Sequence, residues 1–331
     1  MILILSHDTD VTATDVATAL AARGATSRLV DPGRIPGSGQ LGMHYSSTGA
    51  LRRTLRFGTE QVAMDDVRCI WTRRPRTYQV PPVVTDEEHR TWCAASAREA
   101  MAGFWETGAV RWVPAMPAVD RIAHSKPRQL QVAASHGFRI PRTYIGNDID
   151  DFLAFVEACD GQVITKTLWP YDLHRDGAKH QLYTQRIQRR HLQDVAALKF
   201  APVIAQEWLD KAVELRVTVI APHVFGAEIR SQAVRGTRLD WRRRATEAEH
   251  APHRLPDDVA RRCAAVTRAL GCCFGAIDLI LTPAGEYVFL EINPNGEWRW
   301  VEDATGLPMT AAMVDLLMSA DVRNDPWGAA A

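Results

Sequence analysis

The stretch Tyr287-Val288-Phe289-Leu290-Glu291-Ile292-Asn293-Pro294-Asn295-Gly296-Glu297-Trp298, with Gly275-Ala276-Ile277-Asp278-Leu279-Ile280-Leu281 before it, decides how this chain is read. Both runs are rich in aromatic and β-branched residues, and Pro283-Ala284-Gly285 between them supplies turn chemistry, so a β-hairpin is expected. Side chains two apart on a strand share a face, which puts Glu291 with Asn293, and the paired strand can bring Asp278 alongside. Two carboxylates and an amide oxygen are hard ligands of the kind that hold magnesium against substrate phosphates. The hairpin therefore points to phosphate chemistry near the end of the chain.

Upstream, strand and helix signals alternate. Met1 to Leu5 reads as a buried strand, Val11 to Arg23 as a helix closed by Gly24, and Ser27 to Val30 as a second strand. This β-α-β unit implies an α/β fold with a parallel sheet. Gly33 to Gly42 reads as a loop, Leu51 to Phe57 and Gln61 to Met64 as strands, and Thr85 to Trp105 as a helix. Pro114, Pro117 and Pro127 punctuate the passage to the next region, and a domain boundary is expected near residue 115. Beyond it come helices at Lys126 to His136, Ile149 to Ala158 and Arg190 to Lys199, and strands at Gln162 to Lys166, Val203 to Glu207, Leu215 to Ile220 and Val224 to Arg230. A helix at Asp257 to Leu270 follows, and Trp169 to His180 reads as a mobile loop. The expected division is 1–115, 116–200, 201–320 and a tail at 321–331.

Composition narrows the function. With 331 residues, 46% apolar and 24% charged, the chain suits two or three globular lobes. Zero formal net charge gives no general attraction to nucleic acid or membrane, although Arg242-Arg243-Arg244 can act locally or simply form a solvated face. The six cysteines show no C-x-x-C pair, which fits buried thiols in a reducing cytoplasm. The apolar start meets His7-Asp8 at once and is a strand rather than a signal peptide. There is no P-loop, G-x-G-x-x-G, H-E-x-x-H or G-x-S-x-G, which sets aside P-loop kinases, dinucleotide oxidoreductases, zinc proteases and serine hydrolases.

The remaining candidates each have a bland reading. Lys166 ends a strand before the expected loop, where it either reaches a nucleotide phosphate or snorkels at the surface. Lys126 starts a helix, a position that favours anions. Gln206-Glu207-Trp208-Leu209 at a strand end can present backbone groups to an adenine edge, and Glu214 can accept from ribose hydroxyls; alone, each is an edge-strand polar residue. Arg216 and Arg230 lie on successive strands and either grip phosphate or carboxylate or pair with Glu214 or Glu228.

In this order, Lys126, Lys166, Gln206-Glu207, Glu214-Leu215-Arg216, Asp278 and Glu291-Ile292-Asn293 resemble the ATP-grasp ligases over roughly residues 115 to 320. The resemblance implies two α+β lobes clamping ATP, with Lys126 and Lys166 on the phosphates, Gln206 to Leu209 at the adenine, Glu214 at the ribose, and Asp278, Glu291 and Asn293 on magnesium, two ions in all. Trp71-Thr72-Arg73-Arg74-Pro75, His124 to Leu130, Asp240-Trp241-Arg242 and Asn293 to Trp298, with Glu302 and Thr305 to Pro308, extend the likeness to nearly the whole chain. They are similar to the ATP-grasp maturases that make graspetides, the microviridin-type ω-ester and ω-amide peptides, which carry an N-terminal pre-ATP-grasp domain.

That resemblance implies a precursor peptide with leader and core as partner, Asp or Glu side chains activated as acyl phosphates, and Ser, Thr or Lys side chains that attack them. Arg216 and Arg230 become the candidates for steadying the acyl phosphate. The leader falls to Gln188 to Lys199 and Val224 to Trp241, with Asp194 pairing a leader Arg or merely solvated, and Asp240 and Arg242 as further peptide contacts. A homodimer is also implied. The alternatives are an ATP-grasp ligase that adds a free amino acid and a non-catalytic peptide-binding protein.

Overall fold

In the computed structural model the described residues are 1–168, 172–175, 178–233, 237–244, 248–319 and 326–327. The first element, β1 (Ile2–Ser6), is buried along its whole length, as a strand covered on both faces must be. Helix α1 (Val11–Ala22) is capped by the Asp10 side chain, and the chain turns at Gly24, whose φ of 74° suits glycine. Next come β2 (Ser27–Val30), β3 (Gly39–Tyr45), β4 (Leu51–Phe57), β5 (Glu60–Ala63), β6 (Cys69–Arg74), α2 (Glu87–Glu106) and β7 (Arg111–Val113). A parallel sheet of order β2-β1-β6-β7 carries the antiparallel meander β3-β4-β5 beside it.

The middle of the chain holds α3 (Pro117–Ala123), α4 (Lys126–Ser135), β8 (Thr143–Gly146), α5 (Ile149–Ala158), β9 (Val163–Lys166), β10 (Asp172–Arg175), β11 (Ala178–Gln181), β12 (Gln185–Arg186), α6 (Arg189–Gln193) and β13 (Val203–Glu207). Strands β12-β9-β13-β8 make an antiparallel sheet backed by α5, with Phe152, Val156, Val163 and Ala205 in its core. The last part contains β14 (Val213–Ile220), β15 (His223–Ile229), β16 (His250–Pro252), α7 (Asp257–Ala269), β17 (Phe274–Leu281), β18 (Tyr287–Asn293), α8 (Arg299–Thr305) and α9 (Met309–Met318). Its antiparallel sheet runs β16-β15-β14-β17-β18.

Alternation sorts this last sheet into two faces. Leu215, Val217, Val219, Ile277, Leu279 and Phe289 pack on Leu130 and Ala133 of α4 and on Val259, Cys263 and Val266 of α7. Each such side chain contributes about 1.5–3 kcal/mol on burial, so this face fixes the register and leaves the other to polar residues. Ile2, Val16 and Trp71 share a core with Phe274, Trp298 and Met313, which joins the parallel sheet to the C-terminal elements.

Several expectations are corrected. β3 begins at Gly39, inside the expected loop, because its backbone pairs with Phe57 and a Cβ at Gly39 would stand 2.6 Å from the Phe57 ring. Residues 169–180, read as a loop, include the paired strands β10 and β11. Trp169, Pro170, Tyr171, Asp176 and Gly177 lie outside the described residues. The helix expected at Arg190 to Lys199 breaks at Asp194, whose φ of −101° and ψ of 19° end α6 before a 3₁₀ segment, Val195–Phe200. All six cysteines are free, and five are buried. Among the described residues no helix is long and apolar enough to cross a membrane. Of the arginine run, the side chains of Arg243 and Arg244 lie outside the described residues, as does the tail except Pro326 and Trp327.

Candidate active site

Arg216, Asp278 and Glu291 stand in one row across three strands, because β14 pairs Arg216 with Asp278 and β17 pairs Asp278 with Glu291. A β-bulge makes the last pairing possible. Leu279 opposes Phe289 while Asp278 opposes Glu291, so Leu290 is the extra residue on β18. Without it, Glu291 would share the core face of Phe289. With it, Leu290 and Glu291 both border the cleft, while Phe289 and Ile292 stay buried.

Cations from other elements close on this row. Arg216 donates to Asp278 Oδ1 at 2.9 Å. Lys126, in the first turn of α4, donates to Glu291 Oε2, and Lys166, at the end of β9, lies 3.4 Å from the same oxygen. Burial alone would raise the Glu291 carboxyl, but Lys166 and then Lys126 outweigh it and hold the group well below the usual carboxylate range. Burial lowers the pKa of Lys166, which Glu291 opposes. Three cations thus stand on the two carboxylates of this row.

The position of Lys126 depends on a residue that the sequence reading carried only within the His124 to Leu130 motif, with no role of its own. Gln129, one turn further along α4, donates to Ile292 O at 2.8 Å and accepts from Ile292 N at 3.2 Å. These two bonds satisfy the open edge of β18 and lock the start of α4 beside Glu291. A lone glutamine inside a helix carries no sequence signal for such a role.

The opposite wall is the end of β13. Gln206, almost fully buried, donates to Thr143 Oγ1 at 3.0 Å, and Glu207 accepts from Arg142 N and Nε, both at 3.1 Å. Trp208 N–H donates to Gln162 O at 2.7 Å. Gln206, Glu207, Trp208 and Leu209 line the cleft with Lys166, Glu214, Asp278, Ile164, Ile280, Leu290 and Glu291. Apolar side chains beside strand-end backbone suit a flat heterocycle. Glu214 accepts from Lys211 at 3.0 Å and from Ser231 Oγ at 2.7 Å; burial raises its pKa against both bonds. Lys211 and Ser231 were not singled out either, since their contacts with Glu214 become visible only once β14 and its flanking turns are in place.

Of the other candidates, three stay at or beside the cleft, and Asp194 and Arg230 lie off it. Asn293 follows Glu291 on the same face of β18 but is exposed, and its Oδ1 accepts from Asn295 N at 3.0 Å. Asp240 and Arg242 border the cleft rather than α6: Arg242 binds Asp240 through Nε at 2.9 Å and a terminal nitrogen at 2.7 Å, and Thr184 N donates to Asp240 at 3.1 Å. Asp194 is exposed at the end of α6. Arg230 is half-exposed, pairs with Glu228 and Glu249, and is not among the residues bordering the cleft.

The donors fit magnesium in a particular way. Among the described residues no three His, Cys, Asp or Glu side chains converge on one point. Asp278, Glu291 and the Asn293 amide instead make a sparse oxygen set, the kind magnesium uses when phosphate oxygens and water complete its shell.

Residues 1–120 match the family model described as the MvdD pre-ATP grasp domain. No curated protein matches the chain. Solved structures resemble it along nearly its whole length. A RiPP-associated ATP-grasp ligase of Chryseobacterium gregarium, in complex with ADP and a leader and core peptide, shares 25% identity over 96% of both chains, with a TM-score of 0.89. The macrocyclase MdnC of Microcystis aeruginosa MRC, bound with precursor peptide MdnA, shares 25% over 96% of this chain and 99% of its own, with a TM-score of 0.85. MdnB of the same strain, also a macrocyclase, shares 29% over the same fractions, with a TM-score of 0.80.

Fold and cleft together define an ATP-grasp ligase. Residues 1–120 correspond to an MvdD-type pre-ATP-grasp domain, and the chain as a whole is similar to ATP-grasp ligases described as RiPP-associated or as macrocyclases.

Proposed function

We propose that this enzyme closes rings in a ribosomally made precursor peptide at the expense of ATP. The observation that carries the reading is the row Arg216, Asp278 and Glu291 with Lys126 and Lys166 upon it, in a chain that matches a precursor-bound macrocyclase over 96% of its length. A carboxylate oxygen of a peptide Asp or Glu attacks the γ-phosphorus, ADP leaves, and an acyl phosphate results. A Ser or Thr hydroxyl, or a Lys amine, of the same peptide then attacks the acyl carbon; phosphate departs, the nucleophile loses its proton, and an ω-ester or ω-amide remains.

Lys126 and Lys166 leave Glu291 for the phosphates and neutralise the transferring group. Asp278, Glu291 and Asn293 would hold magnesium, two ions in the full site, which would supply neutralisation of the phosphate charge. Arg216 steadies the acyl phosphate, the Gln206 to Leu209 strand end meets the adenine, and Glu214 meets the ribose. Asp240 and Arg242 act at the cleft, on the peptide's reacting end, and Asp194 with α6 faces the leader. The division at residues 115, 200 and 320, a homodimeric assembly and a cytoplasmic setting, supported by six free thiols, complete the reading.

The test is mass spectrometry of the short peptide encoded beside the gene after incubation with enzyme, ATP and magnesium. Each ring removes one water, about 18 Da. Gain of an amino-acid mass would identify a ligase for free amino acids, and an unchanged mass without ADP release would identify a binding protein.

A further inference from the structure

The motif Trp71-Thr72-Arg73-Arg74-Pro75 plays no part in the chemistry above, yet Arg73 is among the most enclosed charges in the molecule, its side chain 1% exposed. It leaves β6 of the N-terminal domain and crosses to the segment that follows β18. Its guanidinium donates to Glu297 Oε2 and to Asn295 O at 3.5 Å, lies 3.5 Å from Asp10 Oδ2, and covers the Trp298 ring at 5.4 Å. Both anchors are braced in turn. Asp10 accepts from Ser6 Oγ at 2.6 Å, while Glu297 Oε1 accepts from Thr12 Oγ1 at 3.0 Å and from the N–H groups of Trp298 and Arg299 at 3.1 Å.

The segment so held lies directly on Arg216. A Cβ at Gly296 would stand 2.7 Å from an Arg216 terminal nitrogen and 2.3 Å from the Ala276 Cβ, so only glycine allows this approach. That same nitrogen donates to Glu297 O at 3.4 Å, while the other terminal nitrogen bonds Asp278. The plane of the Arg216 guanidinium is thus set by two acceptors, one on β17 and one on the segment that Arg73 holds.

We infer that Arg73 is a positioning residue for Arg216: the N-terminal domain sets the catalytic arginine's orientation through residues 295–297. The inference rests on the role given to Arg216 above. A lysine at 73 keeps the charge but loses the planar fork that reaches Glu297 and the Asn295 carbonyl together.

The experiment is a double-mutant cycle of Arg73→Lys and Arg216→Lys, reading kcat and KM for ATP from ADP release with the precursor peptide encoded beside the gene, and Tm from calorimetry. Misplacing a reacting group slightly costs on the order of 10–100-fold in rate. Arg73→Lys is expected to lower kcat by about 10-fold with KM for ATP within about threefold, and to lower it less than about twofold further once Arg216 is Lys. Equal losses in both backgrounds, or no loss in the first, overturn the inference. An unchanged kcat in Arg216→Lys alone overturns the role of Arg216 instead. If Arg73→Lys does not fold, Glu297→Gln removes the same ion pair and completes the cycle by the same criteria.

Discussion

On the wall built by β14, β17 and β18, Glu291 takes its partners from other elements, α4 and β9, while Asp278 pairs with Arg216 on the adjacent β14. On the opposite wall, at the end of β13, the polar side chains are tied within their own sheet and its approach, Gln206 to Thr143 and Glu207 to Arg142. The first arrangement can be exchanged for a ligand's charges without breaking a lobe. The second holds a strand end still so that its backbone meets the ligand. Under the proposed function, phosphates and metal are received by replacement of the ion pairs on Glu291, and the base by a fixed edge.

The largest effect expected from this contrast is at the exchangeable wall. Asp278→Ala and Glu291→Ala should each lower turnover by about 1,000-fold or more, since each removes a proposed metal ligand at the transferring phosphate. Near-normal ADP release in both would break the assignment. Next, because Lys126 and Lys166 both stand on Glu291, ATP and magnesium should favour each other's binding by about 10-fold or more in titration calorimetry, reciprocally. Equal magnesium affinity with and without a nucleotide would show that the lysines do not move.

A smaller effect is expected at the third side of the cleft. Burial raises the Asp240 carboxyl, but the Arg242 hydrogen bonds overcome this and leave its pKa below the ordinary value. A depressed folded pKa stabilises the protein above the unfolded aspartate value, about 3.9, and that contribution disappears as pH falls through the folded value. Asp240→Asn should therefore cost on the order of 1 kcal/mol at neutral pH, since half-exposed Arg242 is screened, and nothing at pH values below the folded pKa. A pH-independent loss of Tm would mean the ion pair is not responsible. The smallest change is expected at Arg230, whose partners Glu228 and Glu249 lie away from the cleft. Arg230→Ala should keep turnover within about threefold; a loss of about 100-fold would return it to the acyl phosphate.

Much of the fold was legible because it follows local rules. Period-2 alternation placed Glu291 with Asn293, strand pairing brought Asp278 near but only the unread bulge at Leu290 sets it opposite Glu291, and strand-helix alternation with Gly24 located the parallel sheet. What was not legible depends on distant parts of the chain. Arg73 and Glu297 are 224 positions apart, and Gln129 and Ile292 are 163 apart, so no local pattern announces either contact. The Gly39 strand start was hidden by residues that ordinarily mark turns, because cross-strand pairing with Phe57 outweighs their preference. Asp176-Gly177 is as good a hairpin signal as a loop signal, which is why β10 and β11 were missed.

The extra residue at Leu290 makes the chemistry of this hairpin a matter of parity rather than of composition. Any conservative substitution between Phe289 and Ile292 preserves the count. Loss of one residue there would leave every side chain chemically intact yet turn Glu291 toward the Leu279 side of the sheet, the apolar side packed under α4 and α7. For anyone grafting or recombining this segment, its length is therefore a stricter requirement than its sequence.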